Sequence, residues 1–268
     1  MSDSLLQAQI EAAKAYEALF VPALFGQWAP KVAAAARVRR GQKVIDVACG
    51  TGVLARELAT LVGSAGRVTG LDPVGGMLAV ARHLAPNVQW LQGIAESLPF
   101  ADQYFDAAVS QFGLMFFKDR EQALCEMVRV IVPDGRLAIA VWDSLDHIPA
   151  YAAAVEVLDR NAGKQAADAL RAPFVLGDRK ELASLFDAAR ITEAQIATEK
   201  GTARFPSIRA MVEADLRGWL PVMGVFLAED QIEAILTEAE TALRSYAGDD
   251  GQLNFEVSAH IVAGHKAQ

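Results

Sequence analysis

The chain has 268 residues with a formal net charge of −8, and 53% of its residues are hydrophobic while 22% are charged. Such a composition can bury a large core, which argues against an intrinsically disordered chain. Nucleic-acid-binding proteins usually present a basic face, whereas the basic cluster at residues 37–40 is best explained as a solvated stretch before the first strand. We therefore predict no nucleic-acid partner.

Cysteine content and the N-terminal residues indicate where the protein works. Cys49 and Cys125 lie in different predicted elements and form no CxxC motif, so neither a disulfide nor a metal site is predicted. Charged residues interrupt the apolar residues of the N-terminal segment, unlike in a signal peptide, and the uncharged run Gly218–Ala228 is too short to span a membrane. These features predict a cytoplasmic protein without a membrane span.

The first predicted element is an amphipathic helix over residues 4–20, in which apolar side chains recur at helical spacing. Pro22, Gly26 and Pro30 follow it, and residues of these types favour a turn. We therefore expect the chain to leave the helix and turn before it enters the core of the protein.

From residue 42 onward, short apolar strands, glycine-containing loops and helices alternate. This βαβα order is typical of a parallel sheet that is covered by helices on both faces. The predicted strands are Lys43–Ala48, Arg67–Leu71, Val88–Gln92, Phe105–Ser110 and Gly135–Trp142. The predicted helices are Leu54–Leu61, Gly76–Leu84 and residues 119–130.

After Trp142 the alternation ends, and most of the remaining chain is predicted to be helical. Two further segments alternate apolar residues at period two and are predicted strands. The helices are residues 146–171, Lys180–Ala189 and residues 207–246, and the strands are Ile191–Phe205 and Phe255–Ala263.

The most informative motif is Asp46-Val47-Ala48-Cys49-Gly50-Thr51-Gly52, which follows the first predicted strand. Glycines let the backbone approach a ligand closely, and free N–H groups at the start of the next helix can contact that ligand. Taken alone the motif is ambiguous, because Gly50 to Ala55 also satisfies the GxGxxA dinucleotide fingerprint. A tight turn without any ligand is a third interpretation.

A second acidic residue, Asp72, closes the second predicted strand about 20 residues after the glycine loop. A carboxylate at this place can accept two hydrogen bonds from a ribose diol, as it does in sites for adenosine-containing cofactors. The other interpretation is a helix N-cap, and one side chain can serve both roles.

A third set of motifs follows in order and at fitting spacing. It comprises Gln92-Gly93-Ile94-Ala95-Glu96-Ser97-Leu98-Pro99-Phe100, then Phe105-Asp106-Ala107-Ala108-Val109-Ser110-Gln111-Phe112, then Pro133-Asp134-Gly135. With these motifs, residues 40–142 resemble the class I S-adenosylmethionine-dependent methyltransferases related to the ubiquinone/menaquinone C-methyltransferases. The resemblance implies an α/β fold with a Rossmann-like, seven-stranded, mostly parallel sheet, an antiparallel last strand and a helical lid. It also implies S-adenosyl-L-methionine as the cofactor.

The resemblance assigns roles to particular residues. Asp46 would lie at the base of the cofactor loop, and Asp72 would bind the ribose hydroxyls. The methionine part of the cofactor would pack on Ala48, Cys49, Gly50 and Gly52, and the adenine would lie between Pro73 and Met77, with Ile94 and Ala95 at its edge. The reactive sulfonium would lie beside Ser110, Gln111 and Phe112.

One position departs from the family pattern. Relatives often carry Asp where Ile94 stands, and that acid can accept a hydrogen bond from the adenine amino group. In this chain we expect the backbone at Ile94–Ala95 or the side chain of Glu96 to replace that contact.

The acceptor site has to come from the more variable parts of the chain. Apolar residues at positions 112–117 and 219–227 predict a pocket for a small, hydrophobic molecule that accepts the methyl group on oxygen, nitrogen or carbon. His147 and Tyr151 are the candidate catalytic bases, although positioning alone can accelerate methyl transfer and a base is optional. The small-molecule acceptor is the predicted partner, and a homodimer remains open.

Two alternative functions are carried forward. A nicotinamide-dependent oxidoreductase would share the glycine loop and Asp72, but no tyrosine is followed four residues later by the lysine of a YxxxK pair. The second alternative is a non-catalytic protein that retains a methyltransferase fold.

We expect a single domain over residues 1–268 with four functional parts. These are an N-terminal helical cap (1–30), a cofactor-binding core (31–143), a helical substrate lid (144–177 and 206–251) and two segments that complete the sheet (178–205 and 252–268).

Overall fold

The structure of the protein is a computed structural model that describes residues 3–189 and 191–266. Residues 1, 2, 190, 267 and 268, which belong to the predicted domain span, lie outside the described residues.

A single sheet of seven strands organises the described part of the chain. The strands are β1 (Lys43–Val47), β2 (Arg67–Asp72), β3 (Gln89–Gln92), β4 (Phe105–Gln111), β5 (Ile131–Trp142), β6 (Thr192–Phe205) and β7 (Leu253–His265). Their order across the sheet is β3-β2-β1-β4-β5-β7-β6. Neighbouring strands from β3 to β5 are parallel, whereas β7 pairs antiparallel with both β5 and β6. The predicted fold class, with an antiparallel last strand, is confirmed.

Helices cover the sheet and extend beyond it. They are α1 (Asp3–Phe20), α2 (Ala29–Ala35), α3 (Val53–Val62), α4 (Gly75–Leu84), α5 (Arg120–Val130), α6 (Pro149–Arg171), α7 (Arg179–Ala188), α8 (Ile208–Ala214), α9 (Leu220–Val222) and α10 (Glu229–Ala242). Outside the sheet, the most extensive packing between helices joins α1 to α4 and α6 to α10. No helix within the described residues is both long and apolar enough to cross a membrane.

The central strands form because their residues are apolar on both faces. In β1 every residue after Lys43 is buried, and the same holds for β2 after Arg67. Strands of a parallel sheet that is covered on both sides are expected to show such continuous apolar runs. The carboxyl ends of β1 and β4 lie side by side, where the strand order changes direction, and such a switch point is the usual ligand site of an open α/β sheet.

The structure differs from the sequence prediction in three places. Residues predicted as a turn are helical, because a π-helical segment (Val21–Phe25) continues α1 and leads through a 3₁₀ turn into α2. Proline is tolerated in the first turn of a helix, which is where Pro22 and Pro30 both lie. The predicted helix over residues 207–246 is broken, since Gly224 adopts a φ of +76° in the loop before α10. The helix α6 is interrupted at Gly163, whose φ is +78°.

Trp90 in β3 explains why two glycines stand where they do. A Cβ atom at Gly70 in β2 would lie 2.4 Å from Trp90 Cζ3, and one at Gly52 would lie 2.3 Å from Trp90 Cη2. The indole N–H of Trp90 donates to the carbonyl of Ala85 at 2.9 Å, which fixes the ring in this place. The ring therefore fills the space left by both glycines and connects the glycine loop to the edge of the sheet.

We predict that Gly70→Ala lowers the free energy of unfolding by about 1–3 kcal/mol, because the added methyl group overpacks the ring of Trp90. Urea unfolding followed by circular dichroism measures the change. Gly218→Ala is the control, since a Cβ there meets no atom within 4 Å. In a Trp90→Leu background, Gly70→Ala should lower the free energy of unfolding by less than it does in the wild type. An equal decrease in both backgrounds would rule out the contact with Trp90 as the cause.

Candidate active site

The loop after β1 adopts a conformation that exposes its backbone at the switch point. Ala48, Gly50 and Gly52 have φ values of +59°, +55° and +85°, all in the left-handed region. Glycine enters this region freely, but Ala48 does so at a cost of roughly 1–2 kcal/mol. Such local strain is typical of functional sites. The loop ends at Gly52, and α3 begins at the next residue with free N–H groups that face the site.

Asp72 joins this loop to the loop after β2. Its Oδ2 atom accepts a hydrogen bond from the N–H of Gly50 at 2.8 Å, and its Oδ1 atom accepts from the N–H of Val74 at 2.9 Å. Val74 precedes the first residue of α4, so the carboxylate also secures the start of that helix. Burial raises the pKa of Asp72, and these two N–H groups act against that rise. Both oxygens keep a lone pair for a ligand, so the structural role and the predicted ribose contact are compatible.

Buried polar atoms without partners converge on the same place. The two carboxylate oxygens of Asp46, the hydroxyls of Thr51 and Ser110 and the amide oxygen of Gln111 meet no hydrogen-bond partner within residues 3–189 and 191–266. Asp46 and Thr51 belong to the glycine loop and its approach, whereas Ser110 and Gln111 end β4. Because buried polar groups are nearly always hydrogen-bonded, this cluster indicates a site that is completed by a polar ligand.

Asp46 is the acidic residue of this cluster, and it is only 1% exposed. Burial raises its pKa well above the usual range, the N–H of Ala55 in α3 counters part of that rise, and the nearby charge of Asp72 adds to it. A cationic ligand would counter both increases. The donor and acceptor set therefore suits the ammonium group of an amino acid, such as the methionine part of S-adenosylmethionine.

The helix α1 forms the roof over this edge of the sheet. The backbone of Gln9 approaches α4 so closely that a Cβ at Gly76 would lie 2.4 Å from the Gln9 carbonyl carbon. One turn before the end of α1, Glu17 pairs with Arg56 of α3 at 2.6 Å. The phenol of Tyr16 lies near enough to Asp72 that burial, Glu17 and Asp72 together raise its pKa. The N-terminal helix thus spans from α4 to the glycine loop.

An aromatic wall adjoins the glycine loop on the other side. Phe112, with a φ of +57°, turns its ring onto Trp142 at a centroid distance of 3.9 Å and an interplanar angle of 10°. Phe174 lies 6.4 Å from Trp142 and 5.4 Å from Tyr151. We call Phe112, Trp142, Phe174 and Tyr151 the aromatic wall. It runs from the end of β4 to the first turns of α6.

The residues predicted to hold the adenine differ from one another in their exposure to solvent. Pro73 is exposed and Met77 is half-buried, and both follow Asp72 at the start of α4. Ala95 is buried, but the side chain of Ile94 is 52% exposed. Glu96 Oε1 accepts from the N–H groups of Lys118 and Asp119, so this oxygen already has a structural role. The adenine contact of the Ile94–Ala95 backbone or of Glu96 stays a prediction.

The first candidate base, His147, belongs to a polar cluster at the end of β5. Its Nδ1 lies 3.0 Å from Asp143 Oδ1, while Ser258 donates to Asp143 Oδ2 at 2.8 Å. The hydrogen bond to Asp143 raises the pKa of His147, whose side chain is 66% exposed. Burial by itself raises the pKa of Asp143, but the hydrogen bonds from His147, Ser258 and the Ser144 N–H outweigh it and lower the pKa.

The second candidate base, Tyr151, is buried in the aromatic wall. Burial raises its pKa well above the usual range, and the charge of Asp215 adds to the rise. The phenol therefore keeps its proton and can act as a hydrogen-bond donor. Asp215 itself was not among the predicted site residues, because an acid in a helical segment with charged neighbours carries no signal of burial.

The comparisons with known proteins agree with this geometry. Residues 45–139 match the family described as methyltransferase domain. The 2-phytyl-1,4-naphtoquinone methyltransferase of Thermosynechococcus vestitus is 47% identical over 103 residues, which cover 37% of this chain and 46% of that protein. Over residues 45–139 the chain therefore resembles a methyltransferase domain, as its sequence motifs predict.

One more curated relative and one solved structure show further similarity to this chain. The ubiquinone/menaquinone biosynthesis C-methyltransferase of Erwinia tasmaniensis is 44% identical over 108 residues, covering 38% of this chain and 43% of that protein. This chain therefore spans less than half the length of the curated relatives it matches. The crystal structure of the YcgJ protein of Bacillus subtilis shares the fold with a TM-score of 0.59 at 21% identity, covering 90% of this chain and 99% of that one.

The predicted family, fold and cofactor are thereby confirmed. The unpartnered atoms around the glycine loop fit S-adenosylmethionine. The roles assigned to single residues stay predictions, and two substitutions test them most directly.

Asp72→Asn should weaken binding of S-adenosylhomocysteine by about tenfold or more, because a charged hydrogen-bond partner is worth about 1.5–3 kcal/mol. Isothermal titration calorimetry measures the affinity. Asp178→Asn is the matched control, since Asp178 also accepts from two N–H groups at a helix start, those of Lys180 and Glu181 in α7. Both variants should lose some stability, but only Asp72→Asn should lose affinity. Equal affinity in the two variants would contradict the assignment.

Asp46→Asn should make the free protein more resistant to urea at pH 8 while weakening S-adenosylhomocysteine binding. An acid whose folded pKa is raised loses stability as pH rises from its unfolded pKa through its folded pKa, and asparagine does not titrate. The gain in stability should therefore vanish near pH 4, where about half of the unfolded Asp46 is protonated. A variant that is less stable than the wild type at pH 8 would show that Asp46 supports the fold rather than a ligand.

Proposed function

We propose that the chain binds S-adenosylmethionine at the glycine loop and transfers its methyl group to a small, largely apolar acceptor. The observation that carries the proposal is the cluster of unpartnered buried polar atoms at Asp46, Thr51, Ser110 and Gln111 beside the aromatic wall. The polar cluster suits a charged cofactor, and the adjoining aromatic surface suits an apolar acceptor.

The names of the relatives support a narrower acceptor class. The relative from Thermosynechococcus vestitus is named a 2-phytyl-1,4-naphtoquinone methyltransferase, and the one from Erwinia tasmaniensis a ubiquinone/menaquinone biosynthesis C-methyltransferase. We infer that the acceptor here is an aromatic molecule of comparable type, methylated on carbon or on a ring hydroxyl. The four rings of the aromatic wall are 4–8% exposed, and an acceptor that inserted beside them would gain stacking and edge contacts, which favour planar molecules.

We further propose that two parts of the chain enclose the acceptor. Residues 144–177 contain α6, which carries Tyr151, and the 3₁₀ turn after it, which carries Phe174. Residues 206–251 contain α8, α9 and α10. The indole N–H of Trp219 donates to the carbonyl of Ala169 at 2.8 Å and joins the two parts. Together with the N-terminal cap of residues 1–30 they would exclude water from the reacting atoms.

Methyl transfer mainly requires the protein to position the cofactor and the acceptor relative to each other. When bound, S-adenosylmethionine supplies an electrophilic methyl group on a positively charged sulfur. Asp46 would hold the ammonium group of the cofactor and Asp72 its ribose hydroxyls, and the aromatic wall would orient the acceptor for an in-line approach. Positioning of this kind can contribute roughly 7–11 kcal/mol to the lowering of a barrier.

We keep His147 and Tyr151 as the candidate groups for proton movement. Asp143 raises the basicity of His147, which would suit a proton acceptor, but the exposed ring would have to reach the acceptor. Tyr151 would donate a hydrogen bond to the acceptor rather than take its proton.

The proposal is tested by incubating the full chain with S-adenosylmethionine and reduced 1,4-naphthoquinone and measuring products by mass spectrometry. We expect S-adenosylhomocysteine and a product that is heavier by one CH₂ group. His147→Gln and Tyr151→Phe should reduce kcat by less than about tenfold if positioning dominates, whereas a general base contributes about 100-fold or more. His83→Gln, which replaces an exposed histidine of α4, is the control.

Two outcomes of the same experiment favour other functions. Protection against thermal unfolding by NADH but not by S-adenosylhomocysteine would favour an oxidoreductase. Binding of S-adenosylhomocysteine without turnover of aromatic, amine or hydroxyl acceptors would favour a non-catalytic protein with this fold.

A further inference from the structure

Asp215 is a buried acid that the cofactor site does not explain. It begins a π-helical turn (Asp215–Trp219) between α8 and α9, and it is only 5% exposed. Its Oδ2 atom is buried and meets no hydrogen-bond partner anywhere in the described chain. Because an unpartnered buried polar atom costs free energy, its presence in a well-packed lid requires an explanation.

The charged residues next to Asp215 pair with other partners on the surface. Arg217 lies 2.8 Å from Glu213 and 2.7 Å from Glu229. Arg209, earlier in α8, lies 2.6 Å from Glu233. The arginines of this segment are therefore neutralised by exposed acids, whereas Asp215 faces the interior without a cation.

The interior that Asp215 faces contains the outer end of the aromatic wall. The charge of Asp215 is close enough to Tyr151 to affect the phenol. The ring of Tyr151 lies 5.4 Å from Phe174 and 5.7 Å from Phe255. The π-helical turn also contacts α1, the roof of the cofactor site. Asp215 is thus a buried acid with one unpartnered oxygen, next to a cluster of buried aromatic rings that continues to the end of β4.

We propose that Asp215 recognises the methyl acceptor by hydrogen bonding to a neutral hydroxyl group on an otherwise apolar, aromatic molecule. The inference rests on the proposed methyltransferase function and adds the residue that distinguishes acceptors by their polar group. The hydroxyl would satisfy the unpartnered carboxyl oxygen, while the ring would pack against Tyr151 and Phe174.

The protonation state of Asp215 agrees with a neutral partner. Burial raises the pKa of Asp215 to about 8, so the carboxyl group is mostly protonated at pH 7. A neutral carboxyl group both donates and accepts a hydrogen bond, which matches a hydroxyl group. An ammonium group would require the ionised form in this apolar setting and is less well suited.

A binding experiment with two matched probes tests the inference. The full chain is saturated with S-adenosylhomocysteine, and binding of 2-naphthol and of naphthalene is measured by tryptophan fluorescence at pH 7. The probes share the ring system and differ in one hydroxyl group. We expect the wild type to bind 2-naphthol about tenfold more tightly than naphthalene, as one buried hydrogen bond predicts.

The variant Asp215→Leu should abolish this preference while its midpoint of urea unfolding rises, because leucine satisfies the apolar surroundings. A purely structural acid would give the opposite stability change. Glu213→Gln is the control on the same segment and should keep the wild-type preference. The inference is overturned if the wild type shows no preference for 2-naphthol, or if Asp215→Leu retains it.

The affinity for S-adenosylhomocysteine separates this inference from the proposed function. A wild type that does not bind S-adenosylhomocysteine contradicts the proposed function, and the acceptor inference falls with it. A wild type that binds it and transfers methyl groups, while Asp215→Leu retains the naphthol preference, contradicts only the role of Asp215.

Discussion

The hydrogen bonds that Asp72 accepts from Gly50 and Val74 hold two loops at the centre of the site. One loop follows β1 and the other follows β2, and the N–H of Cys49 in the first loop also donates to the carbonyl of Leu71 in β2 at 3.0 Å. Because the carboxylate spans both, the position of the glycine loop depends on where β2 ends. The starts of α3 and α4 follow from the same arrangement. A ligand seated on the glycine loop therefore meets a backbone whose geometry is already determined.

The fold accommodates several buried polar groups that weaken the free protein. Asp46 and Asp215 are buried acids, and unpartnered polar atoms occur at both places within the described residues. Each group costs stability as long as nothing binds it. Natural proteins often accept such a cost at functional sites and regain it when the ligand binds. The two acids belong to different parts of the fold, because Asp46 lies in β1 and Asp215 in the π-helical turn after α8.

Much of the fold could be predicted from the sequence because its central strands are mostly apolar and its glycine loops recur in order. The positions of Asp46 and Asp72 followed from the same motifs. Two features could not be predicted. The left-handed conformation of Ala48 and Phe112 depends on contacts between β1, β4 and β5 that no local pattern records. The burial of Asp215 depends on how α8 packs, and the exposed acids beside it look alike in the sequence.

The contacts of α1 with α4 and with Arg56 hold this helix over one edge of the proposed cofactor site. Under the proposed function, a helix at this edge would have to move before the cofactor could enter or the spent cofactor could leave. Opening of such an element commonly takes microseconds to milliseconds and can limit the rate of product release. The speed of the whole cycle would then depend on the strength of a helix contact remote from the reacting atoms. Amide exchange along residues 6–20 would report that opening directly.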